Sequence, residues 1–317
     1  MQPLTGRVAV VAGATRGGGR GIARMLGEAG ATVYCTGRSS RSQPNTSTHH
    51  YAGRPETIEE TAEMVTAAGG VGVAVRVDHH VDAEVAALFT RIAREQKRLD
   101  VVVNILTGRP VASWSSFWKQ PLDEGRALVD SWIWPHVATS WHAAPLMVKQ
   151  KSGLIVEVVE QPGIGYHGTF FFDLMETALK RFAYGLAVEL APHKVAALAV
   201  TPGFMRTEAI LEGFGVAEAN WRDAVDHPKA KGFGWAGSET PCFVGRGVAA
   251  LAADPAVLKK SGGLFGSWAL ADEYGFTDID GGHPHWGRYG KEHFPQFFDA
   301  KPTTPYEWQL AAVTPRP

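Results

Sequence analysis

The sequence predicts an α/β protein: a Rossmann-type doubly wound parallel sheet, a three-layer αβα sandwich in a single domain with a lid and a C-terminal extension. Three observations carry this. Apolar β-branched runs alternate with amphipathic helical stretches along most of the chain. The first such run, Arg7 to Ala12, leads through a glycine-rich turn straight into a helix start. The chain has 317 residues, 45% of them hydrophobic, enough for one large core.

The elements follow in order. Strands are expected near residues 7–12, 31–36, 71–77, 99–105, 153–159 and 194–200, with a closing strand near 263–270. Helices are expected near 19–30, 56–68, 81–97, 123–150 and 170–191. The turn after the first strand reads Gly13-Ala14-Thr15-Arg16-Gly17-Gly18-Gly19. Gly13, Gly17 and Gly19 permit angles and a close approach that a Cβ would block. The helix amides beyond them suit an anionic pyrophosphate. The spacing is G-x-x-x-G-x-G rather than the G-x-G-x-x-G of two-domain dehydrogenases.

From these residues the chain resembles the short-chain dehydrogenase/reductase family, with Ala12 for the usual Thr and Gly18 for the usual apolar residue. Further motifs follow in family order. Val77-Asp78 resembles the strand end at adenine, and Leu99 to Asn104 the fourth strand, whose N-N-A-G motif stands here as Asn104-Ile105-Leu106. Leu186 to Pro192 matches the end of the fifth helix, and Pro202-Gly203-Phe204-Met205-Arg206-Thr207 the loop that closes over nicotinamide. The resemblance spans roughly 5–207 and, more weakly, 240–282. It implies cofactor contacts at Gly13, Thr15, Arg16, Gly17, Gly18, Gly19, Arg38, Asp78, Asn104, Pro202, Gly203 and Thr207. Strand two ends Cys35-Thr36-Gly37-Arg38 with no acid for a ribose 2′-hydroxyl. Arg16 and Arg38 suit a 2′-phosphate, so the expected cofactor is NADP(H).

The resemblance also implies a Ser, a Tyr and, four residues later, a Lys, with an Asn in helix four. Register from Leu186-Ala187-Val188-Glu189-Leu190 puts Phe172 at the Tyr position and Glu176 at the Lys position. Val159 or Glu160 stands at the Ser position and Trp132 near the Asn. Phenylalanine has no proton to donate. The candidates for acid–base work are therefore Glu160, Glu176, Tyr166 and His167, with Phe172 packing beside nicotinamide or substrate. Lys180 is read as solvated.

Residues 39–54 form a polar insertion. Residues 208–240 are expected as a substrate lid lined by Phe214, Trp221, Phe233 and Trp235. Residues 1–282 make the Rossmann domain and 283–317 an irregular extension. His283, His285 and Asp280 fit no strong ligand spacing, and no metal is expected. A formal net charge of −1 gives no basic bias toward nucleic acid, and no apolar run approaches a membrane span. Cys35 and Cys242 read as buried reduced thiols, and the expectation is a cytoplasmic protein. Partners are a small-molecule substrate and, by resemblance, a second copy or more in a homodimer or homotetramer.

The functional expectation is an NADPH-dependent reductase with a non-standard active site, acting on a bulky aromatic or polycyclic, iminium or quinone-like substrate. The alternatives are a non-redox enzyme on the same fold (dehydratase, cyclase or isomerase) and a non-catalytic binding protein.

Overall fold

The structure, a computed structural model, describes residues 2–44, 53–108, 115–160, 166 and 169–295. Seven parallel strands form one sheet in the order β3-β2-β1-β4-β5-β6-β7. They are β1 (Val8–Ala12), β2 (Thr32–Gly37), β3 (Val71–Arg76), β4 (Val101–Asn104), β5 (Gly153–Val158), β6 (Val195–Thr201) and β7 (Leu264–Gly266). Helices α1 (Gly17–Glu28), α2 (Ile58–Ala67), α3 (Asp82–Glu95), α4 (Leu122–Gln150) and α5 (Phe170–Leu190) make the crossovers. After β6 come α6 (Glu208–Gly213), α7 (Pro228–Phe233), α8 (Pro241–Ala253), α9 (Ser267–Tyr274) and α10 (Trp286–His293). Among the described residues, no helix is long and apolar enough to cross a membrane.

Central strands of a parallel sheet are buried on both faces, which is why β1 and β6 read as unbroken apolar runs. The core accordingly has two layers. On one face, Ala9 and Val11 pack with Ile22 and Leu26 of α1, Val244 and Val248 of α8 and Leu270 of α9. On the other, Val8 and Val10 pack with Leu88 and Ile92 of α3, Met147 of α4 and Leu190 of α5. Sheet order reverses between β1 and β4, so the connections leaving their carboxyl ends diverge and open a crevice there.

Three expectations change. The closing strand is only three residues long, pairing Ala199–Thr201 with Leu264–Gly266; residues 267–270 are helical, beginning α9, where Ala, Leu and Asp-Glu favour helix over an edge strand. The aromatics of the expected lid do not line the cavity: Trp235 and Trp221 are buried against each other, with the Trp235 indole donating to the Trp221 carbonyl (2.8 Å), so they form a small core of their own within residues 208–240. Residues 286–293 are not an irregular tail but helix α10, whose Gly287 fits against the Trp268 ring.

Candidate active site

The crevice is a cavity of about 1010 Å³ at the carboxyl ends of the strands. Its phosphate flank is the turn between β1 and α1. Gly13 has φ +95°, and a Cβ there would lie 2.3 Å from the Ile105 carbonyl oxygen. A Cβ on Gly19 would lie 2.1 Å from the Gly13 carbonyl oxygen. The glycines thus let β4, the turn and α1 close on one another, leaving amides facing the cavity. An anion already sits on one: the Gly17 amide donates to Oε2 of Glu208 at the start of α6 (2.9 Å), and Arg20 lies 3.7 Å from that carboxylate.

Beyond the turn, Arg16 meets Glu56 (3.3 Å) and Ser39 Oγ (3.4 Å), and Arg54 is hydrogen-bonded to the same Glu56 and to Glu212 of α6. Burial opposes ionisation of Glu56, but the Arg54 hydrogen bonds, a backbone hydrogen bond and the charges of Arg54 and Arg16 together outweigh it and hold its pKa below the usual value. Arg38 is exposed at the rim. The His80 hydrogen bond, against burial, draws the Asp78 pKa down to about 2. Gly13, Thr15, Arg16, Gly17, Gly18, Gly19, Arg38, Asp78, Pro202, Gly203 and Thr207 all line the cavity. Asn104 does not. It is fully buried beneath the wall, its amide donating to Glu157 (2.6 Å) and to Ser140 Oγ (2.8 Å).

That Asn104 contact belongs to a buried network under the chemical flank. His136 of α4 places Nδ1 2.6 Å from Glu157 Oε2 and Nε2 2.9 Å from the Leu106 carbonyl oxygen. The Leu106 carbonyl can only accept, so Nε2 carries a hydrogen, while the proton of the short Nδ1–Glu157 contact lies between ring and carboxyl. Burial pushes its pKa down, but the Glu157 carboxylate more than compensates and the net shift is upward.

On the chemical flank, Glu160 follows β5 and Glu176 faces it from α5, both lining the cavity. Glu176 is 1% exposed, and its Oε2 accepts from the Glu160 amide (2.7 Å). Burial, then the neighbouring Glu160, push its pKa up to about 8. Glu160 is exposed along the cavity, and desolvation raises its pKa against the pull of Lys180. Lys180 is not the solvated residue expected. It is half-buried one turn beyond Glu176, and desolvation lowers its pKa while Glu176, Asp173 and Glu160 oppose the shift. Phe172 packs edge-on to Trp132 (centroids 6.1 Å apart, planes at 89°) and not on the cavity surface. Tyr166 is 58% exposed and away from the wall. His167 lies outside the described residues.

Sequence reasoning missed Arg54, Glu56, Glu157, His136, Glu208 and Trp286. Only Glu157 left a local signal, a carboxylate inside the apolar run Leu154-Ile155-Val156-Glu157-Val158. The others reach the site from an insertion, the long helix α4, the lid and the C-terminal helix.

The profile of the short chain dehydrogenase family matches residues 7–212. The mouse protein "Dehydrogenase/reductase SDR family member 1" is 36% identical over 286 residues, 89% of this chain and 86% of its own length. The human protein of the same name is 35% identical, over 88% and 85%. Among solved structures, a short chain dehydrogenase from Mycobacterium thermoresistibile superposes with a TM-score of 0.70 at 21% identity, covering 90% of this chain and 92% of that one. A 7α-hydroxysteroid dehydrogenase complexed with NADH and 7-oxo glycochenodeoxycholic acid gives 0.64 at 18%, covering 83% and 93%. With a glycine turn, a seven-stranded parallel sheet and relatives of this closeness, the chain belongs to the short-chain dehydrogenase/reductase family, whose members are oxidoreductases that use nicotinamide cofactors.

Proposed function

We propose that the protein is an NADP(H)-dependent reductase in which Glu176 is the acid. The observation that carries this reading is a carboxyl group on the cavity wall, 1% exposed and set against Glu160, in surroundings that push its pKa up to about 8. The sequence register read back from Leu186–Leu190 supports it, since by that count Glu176 falls at the family's Lys position and Phe172 at its Tyr position.

The cavity fits a dinucleotide: the Gly17 amide already carries an anion, in the form of Glu208. Gly17, Gly18 and Gly19 would hold the pyrophosphate at the start of α1. Arg16, Arg38 and Arg54 would hold the 2′-phosphate, with Glu56 as their resident counter-charge. Pro202, Gly203 and Thr207 would bound the nicotinamide. When bound, that group supplies a hydride. The protein supplies the rest. The Glu160 amide occupies Oε2 of Glu176, which leaves the other carboxyl oxygen to carry the proton toward the substrate. Lys180 then stabilises the carboxylate left behind. Trp132, Leu179, Ile210 and Trp286 on the wall favour a flat apolar substrate. A quinone, or a polycyclic enone that takes the hydride at its β-carbon, suits this site, because the phenolate or enolate left by the hydride is delocalised and needs only a weak acid. An iminium suits it when the two carboxyls are ionised.

The test is NADPH binding followed by nicotinamide oxidation with quinones and polycyclic ketones, in wild type and Glu176→Gln. Absence of NADPH binding overturns the reading. The paired carboxyls of Glu160 and Glu176 favour a second one, non-redox acid–base catalysis, which predicts substrate loss with nicotinamide unchanged.

A further inference from the structure

Glu239 precedes α8 and takes no part in the chemistry above, yet it is 0% exposed and its contacts converge on one wall of the cavity. Its backbone stitches the loop after β6: the Glu239 amide donates to the Phe204 carbonyl (2.9 Å), and the Arg206 amide donates to the Glu239 carbonyl (2.8 Å). Its side chain holds the same loop. Oε2 accepts from the Gly203 amide (2.9 Å) and from Ser267 Oγ (2.6 Å). The space around Gly203 is full, since a Cβ there would lie 2.7 Å from the Cβ of Trp286 and 2.8 Å from Glu239 Oε2.

We propose that Glu239 is a positioning residue: it fixes the Gly203 amide, and with it the wall formed by Gly203 and Trp286 against which the nicotinamide end of the cofactor packs. The inference rests on the reading of the cavity as a dinucleotide site.

The carboxyl does this as a neutral acid. No described residue gives Oε1 a hydrogen bond. Arg206 acts on it from a distance but directs its own hydrogen bonds to Glu218 and to the Ser238 carbonyl and hydroxyl, with Asp280 3.9 Å away. Asp278, bound to the Thr240 amide, adds negative charge. Leaving a bare carboxylate oxygen in such a place costs more than its contacts return. Burial accordingly raises the Glu239 pKa to about 8, against the Ser267 and Gly203 hydrogen bonds. Above that pH the side chain ionises, and the Gly203 loop has to open to hydrate it.

The experiment compares NADP⁺ with 2′,5′-ADP, which lacks the nicotinamide end, by calorimetry on the full chain. Glu239→Leu is expected to weaken NADP⁺ binding by about tenfold or more and to leave 2′,5′-ADP within about twofold. Glu239→Gln, a neutral isostere, is expected to bind both like wild type. As pH rises through about 8, wild type should lose NADP⁺ affinity relative to 2′,5′-ADP, and Glu239→Gln should not. Equal weakening of both ligands in the Leu variant overturns the proposal, as does an alkaline loss that Gln fails to remove. Should the Leu variant not fold, the pH comparison of wild type with Gln decides alone. A wild type that binds 2′,5′-ADP no more weakly than NADP⁺ refutes the positioning role while keeping the adenosine site. Binding of neither refutes the dinucleotide reading, and this role with it.

Discussion

The two flanks of the cavity are built from different material. The phosphate flank is backbone: amides at the start of α1, made accessible because Gly13 and Gly19 have no Cβ to meet the Ile105 and Gly13 carbonyls. The chemical flank is side chain: Glu160, Glu176 and Lys180, resting on the buried His136–Glu157 pair. A backbone cradle is constrained sterically, so only a few residues fit. A flank of ionisable side chains is constrained by proton affinity, and different groups meet that constraint once burial has tuned them. One flank can therefore keep its form while the chemistry beside it changes.

Four experiments break or sharpen this contrast. The largest effect is expected at Glu176. Replacing it with Gln should lower turnover by about 10²- to 10⁴-fold, the usual worth of a general acid, with little change in NADPH affinity. The acid form is present below a pKa of about 8, so the wild-type rate should fall as pH rises through that value. A rate–pH profile that stays flat there removes Glu176 as the donor. Next is the pair beneath. His136→Leu leaves Glu157 buried without its partner and should cost about 3–5 kcal/mol of stability, read as a fall in Tm. His136→Leu with Glu157→Leu should recover much of the loss, and no recovery would deny that the two act as a pair.

On the other flank, Gly19→Ala puts a Cβ 2.1 Å from a backbone oxygen. Overpacking of about 1–3 kcal/mol should appear as roughly a 5- to 150-fold loss of NADPH affinity by fluorescence titration, with folding retained. The smallest effect has the opposite sign. Glu208→Gln removes a carboxylate from the α1 amides and should tighten NADPH binding by about two- to fivefold, the scale of one charge at a helix N-terminus. Weaker binding would make Glu208 a cofactor ligand instead of a competitor.

The same contrast separates what is legible in the sequence from what is not. The first six strands, the crossover helices and the glycine turn follow from local periodicity and steric rules, and each is found within a few residues of its expected bounds, whereas half of the expected closing strand is the start of α9. The turn residues line the cavity because the motif is itself the cradle. Asn104 has the expected position in the chain, but its side chain is turned inward by Glu157 and Ser140, which no local rule anticipates. Trp286 reaches the wall only because Gly203 leaves room for it across 83 residues of chain (286 − 203). The lid aromatics are visible as apolar residues, but whether such residues face a ligand or one another is decided by the packing of Trp221 on Trp235.

Helix α6 carries one more consequence. Its Glu208 rests on the Gly17 amide and its Glu212 on Arg54, while Glu56 lies between Arg54 and Arg16. The positive groups proposed to hold a polyanion are thus already matched, and on that reading uptake would be an exchange of one set of negative partners for another. Such an exchange changes the local field little, so added salt should slow or weaken it far less than it would an open cationic groove. On the proposed reading, a dinucleotide that displaced Glu208 and Glu212 would remove both of these anchors of α6, so its arrival would be coupled to a shift of that helix.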